Sequence, residues 1–269
     1  MNFDSITTRE DLREVFGKVG LRSAMDIMVH SSMRGLGYVV NGALDVIDSL
    51  LDGVGEKGTI IMPAHTGQLT DPADWRHPAV PAEYVETIRN TLRLFDPKTT
   101  PVRNRGIIAQ TFLDYPDVYR SVHPLNSVAA RGGRAAYFTE IHELHEPEGL
   151  ASPTGRLYGE DGYVLLIGVT LTSCTAVHLA EFIADVPYLC NSSVRVLSGK
   201  VGRENRFVRL ERYPDTSEFF DKLLPDLRKK DLLQEVPFRS CTLVMFPLRP
   251  VIDLTVKRLQ SEPLYLVNP

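Results

Sequence analysis

The residues whose types and spacing suit chemistry are His178 and Glu181, in the run Thr175-Ala-Val-His-Leu-Ala-Glu181. Helix positions three apart share a face, so an imidazole, which titrates near ~6.5 when free, would lie beside a carboxylate. That pair is suited to moving a proton, although the same spacing also describes a solvated surface pair. A second group is His30-Ser-Ser-Met-Arg-Gly-Leu-Gly37. A strand feeding a Ser- and Gly-rich turn offers N–H and hydroxyl groups to a phosphate or an oxyanion. It has neither the Gly-Lys-Ser/Thr ending of a P-loop nor the three-glycine spacing of a dinucleotide fingerprint, and an ordinary tight turn is an equal reading. Cys174, four residues before His178, raises a rival route through a thiolate and an acyl-enzyme. His142-Glu-Leu-His-Glu146 raises a metal site, but it lacks the spacing of a His-Glu-x-x-His helix, and no metal is expected.

These side chains need elements to hold them. Tyr163-Val-Leu-Leu-Ile-Gly-Val169 is a continuous apolar run, the pattern of an interior strand. A loop follows in which Ser173 or Thr175 could cap a helix over residues 176–184. Earlier, Thr7 or Thr8 could cap a first helix, and Asp26–His30 reads as a buried strand. A helix follows over Asn41–Leu51, with Leu44, Ile47, Leu51 and Val54 at helical spacing, and then a strand, Thr59–Met62, halted by Pro63. Strand, loop, helix, strand is a parallel crossover, and ligands collect at strand ends in such folds. Residues 65–105 form a long irregular excursion with a short helix near Glu83–Leu94, of the kind that usually carries function. The remaining expectations are a helix at Ile107–Phe112, strand after His123–Ala130, a helix at Tyr137–His145 and a loop at Gly149–Gly155. They continue with a hairpin of Val194–Val201 and Arg206–Tyr213 around Gly202–Asn205, an amphipathic helix at Phe219–Leu233, a strand at Cys241–Phe246 and a helix at Val251–Gln260.

The chain has 269 residues, 43% of them hydrophobic, enough for one substantial core, and residues 1–269 are read as a single domain. A net charge of -4 without a dense Lys/Arg stripe excludes a nucleic-acid surface. Three cysteines, Cys174, Cys190 and Cys241, have no metal spacing and make a disulfide framework implausible. There is no basic start followed by an apolar stretch and no run of 18 apolar residues, so a cytoplasmic protein with no membrane partner is expected.

The chain resembles the aminoglycoside 3-N-acetyltransferase family. The motifs that carry the likeness are His30-Ser-Ser-Met, Asn41-Gly-Ala, Gly58-Thr-Ile-Ile-Met-Pro63, Asp71-Pro-Ala-Asp-Trp75, Phe95-Asp-Pro-Lys-Thr-Thr-Pro-Val-Arg103, His123-Pro-Leu, Gly149–Leu157, Gly168-Val and Thr175–Glu181, in the family's order. The likeness runs from about Ile27 to Asp185 and weakens through the hairpin and the last helix. It implies an α/β fold, with a mostly parallel or mixed sheet flanked by helices, a long loop excursion and a β-hairpin lobe, distinct from the common small acetyltransferase fold. It further implies acetyl-CoA as co-substrate and direct transfer to the 3-amino group of a 2-deoxystreptamine aminoglycoside, as in antibiotic resistance; a homodimer is an admitted assembly.

Carried over residue by residue, the resemblance makes His178 the base, with Glu181 and His123 as its support or as acceptor contacts. The turn of His30, Ser31, Ser32, Met33 and Gly35 becomes the CoA-facing segment. N–H or hydroxyl groups there would stabilise the thioester oxygen by roughly 3–4 kcal/mol per donor. Asp71 and Asp74, with Trp75, suit a polycationic sugar, and a turn role beside Pro72 is the equal alternative. Several positions depart from the family pattern: Thr170, Leu171 and Thr172, where relatives carry a polar Gly-His-Asp-like segment, Gln110, where relatives often have Glu, and Asn104 and Arg105, at a position that is often small. They weaken the aminoglycoside expectation more than the CoA chemistry, leaving another amine acceptor or a non-catalytic CoA-binding relative as alternatives.

Overall fold

The computed structural model describes residues 5–191, 193–201, 204–214 and 216–268, without the side chains of Cys190 and Asn191. The chain opens with a short strand β1 (Ile6–Thr7) and helix α1 (Arg9–Lys18), which Thr8 caps through a reciprocal capping box with Asp11. The crossover unit follows as β2 (Asp26–Ser31), β3 (Tyr38–Val39), α2 (Ala43–Val54) and β4 (Thr59–Pro63). In α2 the buried stripe is Val46, Ile47, Leu50 and Val54, whereas Leu44 faces out. Helix α3 (Ala82–Thr91) lies in the long excursion and buries no residue. Helix α4 (Gly106–Leu113) ends the excursion, ahead of β5 (Tyr119–Arg120) and β6 (Val128–Gly132).

Helices α5 (Ala135–Thr139) and α6 (Pro153–Gly159) lead into β7 (Tyr163–Ile167) and α7 (His178–Ala184). A hairpin of β8 (Ser193–Val201) and β9 (Glu204–Glu211) stands apart, its turn at Gly202 and Arg203 lying outside the described residues. The chain closes with α8 (Leu224–Lys229), β10 (Gln234–Phe238), β11 (Cys241–Pro247) and α9 (Leu248–Ser261).

Seven strands form one mixed sheet in the order β10-β11-β7-β2-β4-β6-β5. The three central strands, β7, β2 and β4, are parallel, and antiparallel strands flank them on both sides. Side chains alternate along a strand, so Ile27 and Val29 join one core with α1, α2 and α4. Met28 faces the other core, with α5, α6, α7, α8 and α9. His30 follows Met28 by two and points to the α7 side. The hairpin packs a third, smaller cluster of Leu69, Leu125, Val196, Leu197 and Leu210 against the long excursion.

Several expected elements differ. The helix placed at Tyr137–His145 stops at Thr139, because His142 turns back to bond Ser121 and the Pro147 carbonyl while Ile141 faces solvent. The Gly149–Gly155 loop ends early, since Ser152 caps α6 from within it. Neither Ser173 nor Thr175 caps α7; two 3-10 turns, Leu171–Ser173 and Thr175–Val177, lead into it instead. The helix of Phe219–Leu233 contracts to a 3-10 turn and α8, and Asp231 at φ 54 redirects the chain into β10. That strand holds Pro237 yet lies at the sheet edge, where a missing N–H costs no ladder bond.

Candidate functional site

The carboxyl ends of the three parallel strands converge on one region. Gly168, at φ +63, turns the chain sharply after β7, and the two 3-10 turns set His178 as the first residue of α7. His178 Nδ1 lies 2.5 Å from Glu181 Oε2, and the Tyr188 hydroxyl donates to the other carboxylate oxygen at 2.6 Å. Phe220 packs edge-on against the imidazole at 4.9 Å. With both its oxygens engaged and only 1% of its surface exposed, Glu181 acts as an acceptor, which places the Nδ1 proton on the histidine. Nε2 is then the basic nitrogen. Burial and the adjacent Glu181 charge raise the Tyr188 pKa, so the phenol stays a donor.

A second carboxyl, which sequence reasoning did not single out, lies nearby. Glu148 is buried, its oxygens accepting from Asn126 Nδ2 at 3.2 Å and Thr154 Oγ1 at 3.0 Å. Burial pushes its pKa up to about 7, against the opposing pull of His178, its two hydrogen bonds and Arg105. It is thus within electrostatic range of both His178 and Arg105. The one hint in the sequence is an acid next to Gly149 ahead of the Ser-Pro helix start.

His123 does not join His178. Its Nδ1 accepts from the N–H groups of Leu125 and Asn126 at 3.1 and 2.8 Å, and its Nε2 faces the Leu144 carbonyl at 3.2 Å. That pattern fixes a neutral ring that organises a loop, and burial holds its pKa down at about 4. The geometry replaces the catalytic expectation for His123 with a structural role. His142 is similarly occupied by Ser121 and the Pro147 carbonyl. His145 is exposed, and no group of metal ligands exists among the described residues. Cys174 is fully buried in the α7-side core, and burial pushes its thiol up to about 12, against the pull of nearby backbone hydrogen bonds. This removes the thiolate route, which needs an accessible sulfur of low pKa.

Two cavities are formed by neighbouring segments, and the lining of neither includes His178 or Glu181. The first, about 410 Å³, is lined by His30, Ser31, Ser32, Met33, Pro63 and the start of α4. The Ser32 N–H is already donated to the Ile167 carbonyl at 2.8 Å, which takes it away from the expected oxyanion role. The hydroxyls remain. In its place the first turn of α4, which no side chain caps, lines this cavity with Gly106, Ile107 and Ile108. Such a turn has free N–H groups and a positive dipole end. His30 hydrogen-bonds the Ser173 backbone, its Nε2 has no partner, and burial followed by the charge of Arg105 lowers its pKa to about 3. Gly35 is not in this lining; a Cβ there would come within 2.2 Å of Cys241 Cβ, so its smallness serves strand packing rather than CoA approach.

The second cavity, about 610 Å³, lies under the long excursion and includes Trp75, Tyr84, Ile88, Arg103 and His65. Asn104 and Arg105 line both cavities. Trp75 lines the second cavity, with Arg103 stacked 5.4 Å over its indole. Asp71 does not line it. Its carboxylate is buried and held by Arg89 and Arg195. Asp74 pairs with Arg195, and neither acid is in the lining of these two cavities. The departures have local reasons: Leu171 fills the core, the Thr172 carbonyl accepts from Ser217, and Gln110 ties Val102 to Asp114 where the excursion ends.

Comparison with known proteins gives a consistent picture. The family model described as "Aminoglycoside 3-N-acetyltransferase" matches residues 28–260. The SPbeta prophage-derived aminoglycoside N(3')-acetyltransferase-like protein YokD of Bacillus subtilis (strain 168) is 39% identical over 182 residues. That stretch is 67% of this chain and 66% of the relative, so the match spans about two thirds of its length. The crystal structure of YokD superposes with a TM-score of 0.89 at 30% identity, covering 96% of this chain and 95% of that one. A histidine-to-alanine variant of the aminoglycoside acetyltransferase AAC(3)-IVa, in complex with a gentamicin, superposes at 0.83 with 26% identity, covering 99% of this chain and 93% of that one.

Proposed function

The chain belongs to the aminoglycoside 3-N-acetyltransferase family, and from that premise and the site geometry we propose that it is an acetyl-CoA-dependent N-acetyltransferase acting on a primary amine. The single observation that carries this reading is the chain of hydrogen bonds from Tyr188 through Glu181 to His178. It leaves a basic Nε2 at the start of α7, just beyond the loop after β7 whose Val169 and Ser173 line the first cavity. The cavity at Ser31, Ser32 and the start of α4 would take the donor, with its helix N-terminus suited to CoA phosphate or to charge on the thioester oxygen. The cavity under the excursion would take the acceptor. The acceptor that the family description and the YokD name state is an aminoglycoside amine at N3, and it is the first to try.

The reaction is direct transfer. The neutral amine nitrogen attacks the thioester carbonyl carbon, its proton passes to His178 Nε2, and Glu181 stabilises the imidazolium that forms. The carbonyl–sulfur bond then breaks, and the thiolate leaves and takes up the proton as free CoA. General-base assistance of this kind contributes typically ~100- to ~10,000-fold. No step uses a metal or a covalent enzyme intermediate, in keeping with the buried Cys174.

The test is acetyl-CoA consumption, followed by thiol release, against a panel of aminoglycosides and simple diamines, with His178→Ala as control. Turnover lost in a folded variant supports the reading; full turnover in that variant removes the base assignment. Absence of acetyl-CoA binding would remove the reading altogether.

A further inference from the structure

The cavity assigned to the acceptor has a chemistry that the site description leaves unused. No Asp or Glu is among the described residues that line it, whereas Arg76, Arg103 and Arg105 are. Guanidinium groups keep their charge in proteins. Of the nearby acids, Asp71 is buried against Arg89 and Arg195 and Asp74 pairs with Arg195, while Glu148, the one carboxyl group among the described residues whose charge reaches Arg105, lines neither cavity and is pushed toward its neutral form by burial. Arg105 lines both cavities, and its Nε is buried with no hydrogen-bond partner. Beside these lie His65, His77, Thr87 and Asn104, and aromatic and aliphatic groups that include Trp75, Tyr84 and Ile88, with the Arg103 guanidinium stacked on the indole. A polycation entering here would meet like charge and apolar surface. An acid on an apolar body would meet forked donors and ring faces. The mildly negative net charge of the whole chain does not change this, because a ligand in a cleft feels the local groups first.

We propose that the amine acceptor of this protein carries a carboxylate or phosphate on an aromatic or apolar body, and that Arg103 and Arg105 hold that acidic group. The proposal rests on the acetyl-transfer reading above and gives it a substrate class. The amine would reach His178 from the side of the cavity that Arg105 shares with the donor site. The acid would remain under the excursion, against the stacked Arg103.

The experiment compares kcat/KM for matched amines with acetyl-CoA as donor: para-(aminomethyl)benzoate against benzylamine, and O-phosphotyramine against tyramine, with gentamicin and kanamycin alongside. One charge-assisted hydrogen bond lost from a site lowers affinity by roughly 10- to 100-fold. The acidic member of each pair is therefore expected to exceed its partner by about tenfold or more and to exceed both aminoglycosides. Arg103→Glu should erase the advantage through KM, and Arg103→Lys should keep most of it, which separates charge from any loss of packing on Trp75. Equal rates within the pairs, or faster turnover of the aminoglycosides, overturn the proposal while leaving acetyl transfer intact. Turnover of none of these amines, with acetyl-CoA binding retained by calorimetry, overturns the acceptor class and leaves the donor site standing. Loss of acetyl-CoA binding overturns both.

Discussion

Glu148 offers the sharpest physical test of the site. Burial raises its carboxyl from an ordinary 4.5 to about 7, so the folded protein binds this proton more tightly than the unfolded chain. The consequence for stability follows in sign. Below pH 4.5 both states are protonated and nothing is lost. Between 4.5 and about 7 the native state alone keeps the proton, and stability falls as pH rises; above about 7 the penalty is complete. At about 1.4 kcal/mol per pH unit, that interval amounts to about 3 kcal/mol as an upper figure.

Glu148→Gln removes the ionisation and keeps the shape. The new amide can still bond Thr154, and it can donate to Asn126 Oδ1, which has no partner at present. The four histidines held neutral by burial, His30, His65, His123 and His142, act with the opposite sign. Their folded pKa values lie below the ordinary 6.5, so they cost stability as pH falls from 6.5. They are common to both proteins and cancel in the difference. Urea unfolding of both proteins from about pH 5 to about pH 8, compared by linear extrapolation, should show similar stability at the acid end. The variant should be more stable by up to about 3 kcal/mol at the alkaline end. Parallel curves across that range would refute the reasoning, because the buried carboxyl would then ionise as freely in the fold as in water.

Three further outcomes are expected. His178→Ala should lower kcat by ~100- to ~10,000-fold with an unchanged far-ultraviolet circular dichroism spectrum, since the hydrogen bond of the ring to Glu181 stays within α7 and leaves the sheet ladder untouched. Tyr188→Phe should lower kcat by about tenfold and leave KM for acetyl-CoA unchanged, because it removes only the 2.6 Å bond that aims Glu181 at the base; steady-state kinetics separates the two constants. Cys174→Ala should leave turnover intact, with no acetylated enzyme seen by mass spectrometry during the reaction, and should lower stability by about 1–2 kcal/mol for the cavity left in the core.

Local pattern was enough for much of this protein. The apolar runs at Asp26–His30, Thr59–Met62 and Tyr163–Val169 had to be interior strands, because residues buried on both faces leave no polar alternation. The three-residue spacing of His178 and Glu181 put them together on any helical backbone. What depended on distant partners was not legible. No strand was expected at residues 234–238, and their place at the sheet edge is set only when β11 pairs with them. How His123 and His178 are held could not be read from sequence: loop N–H groups bond the first, while Glu181, itself bonded by Tyr188, faces the second. Asp71 looked like a cation site until Arg89 and Arg195, 18 and 124 residues further along the chain, closed around it. Glu148 had no motif to mark it, because its pKa is set by desolvation, a property of the packed interior. Hydrophobic period and helical spacing are written into neighbouring residues, whereas burial, tautomer and the charge balance of a cavity exist only after the chain has closed on itself.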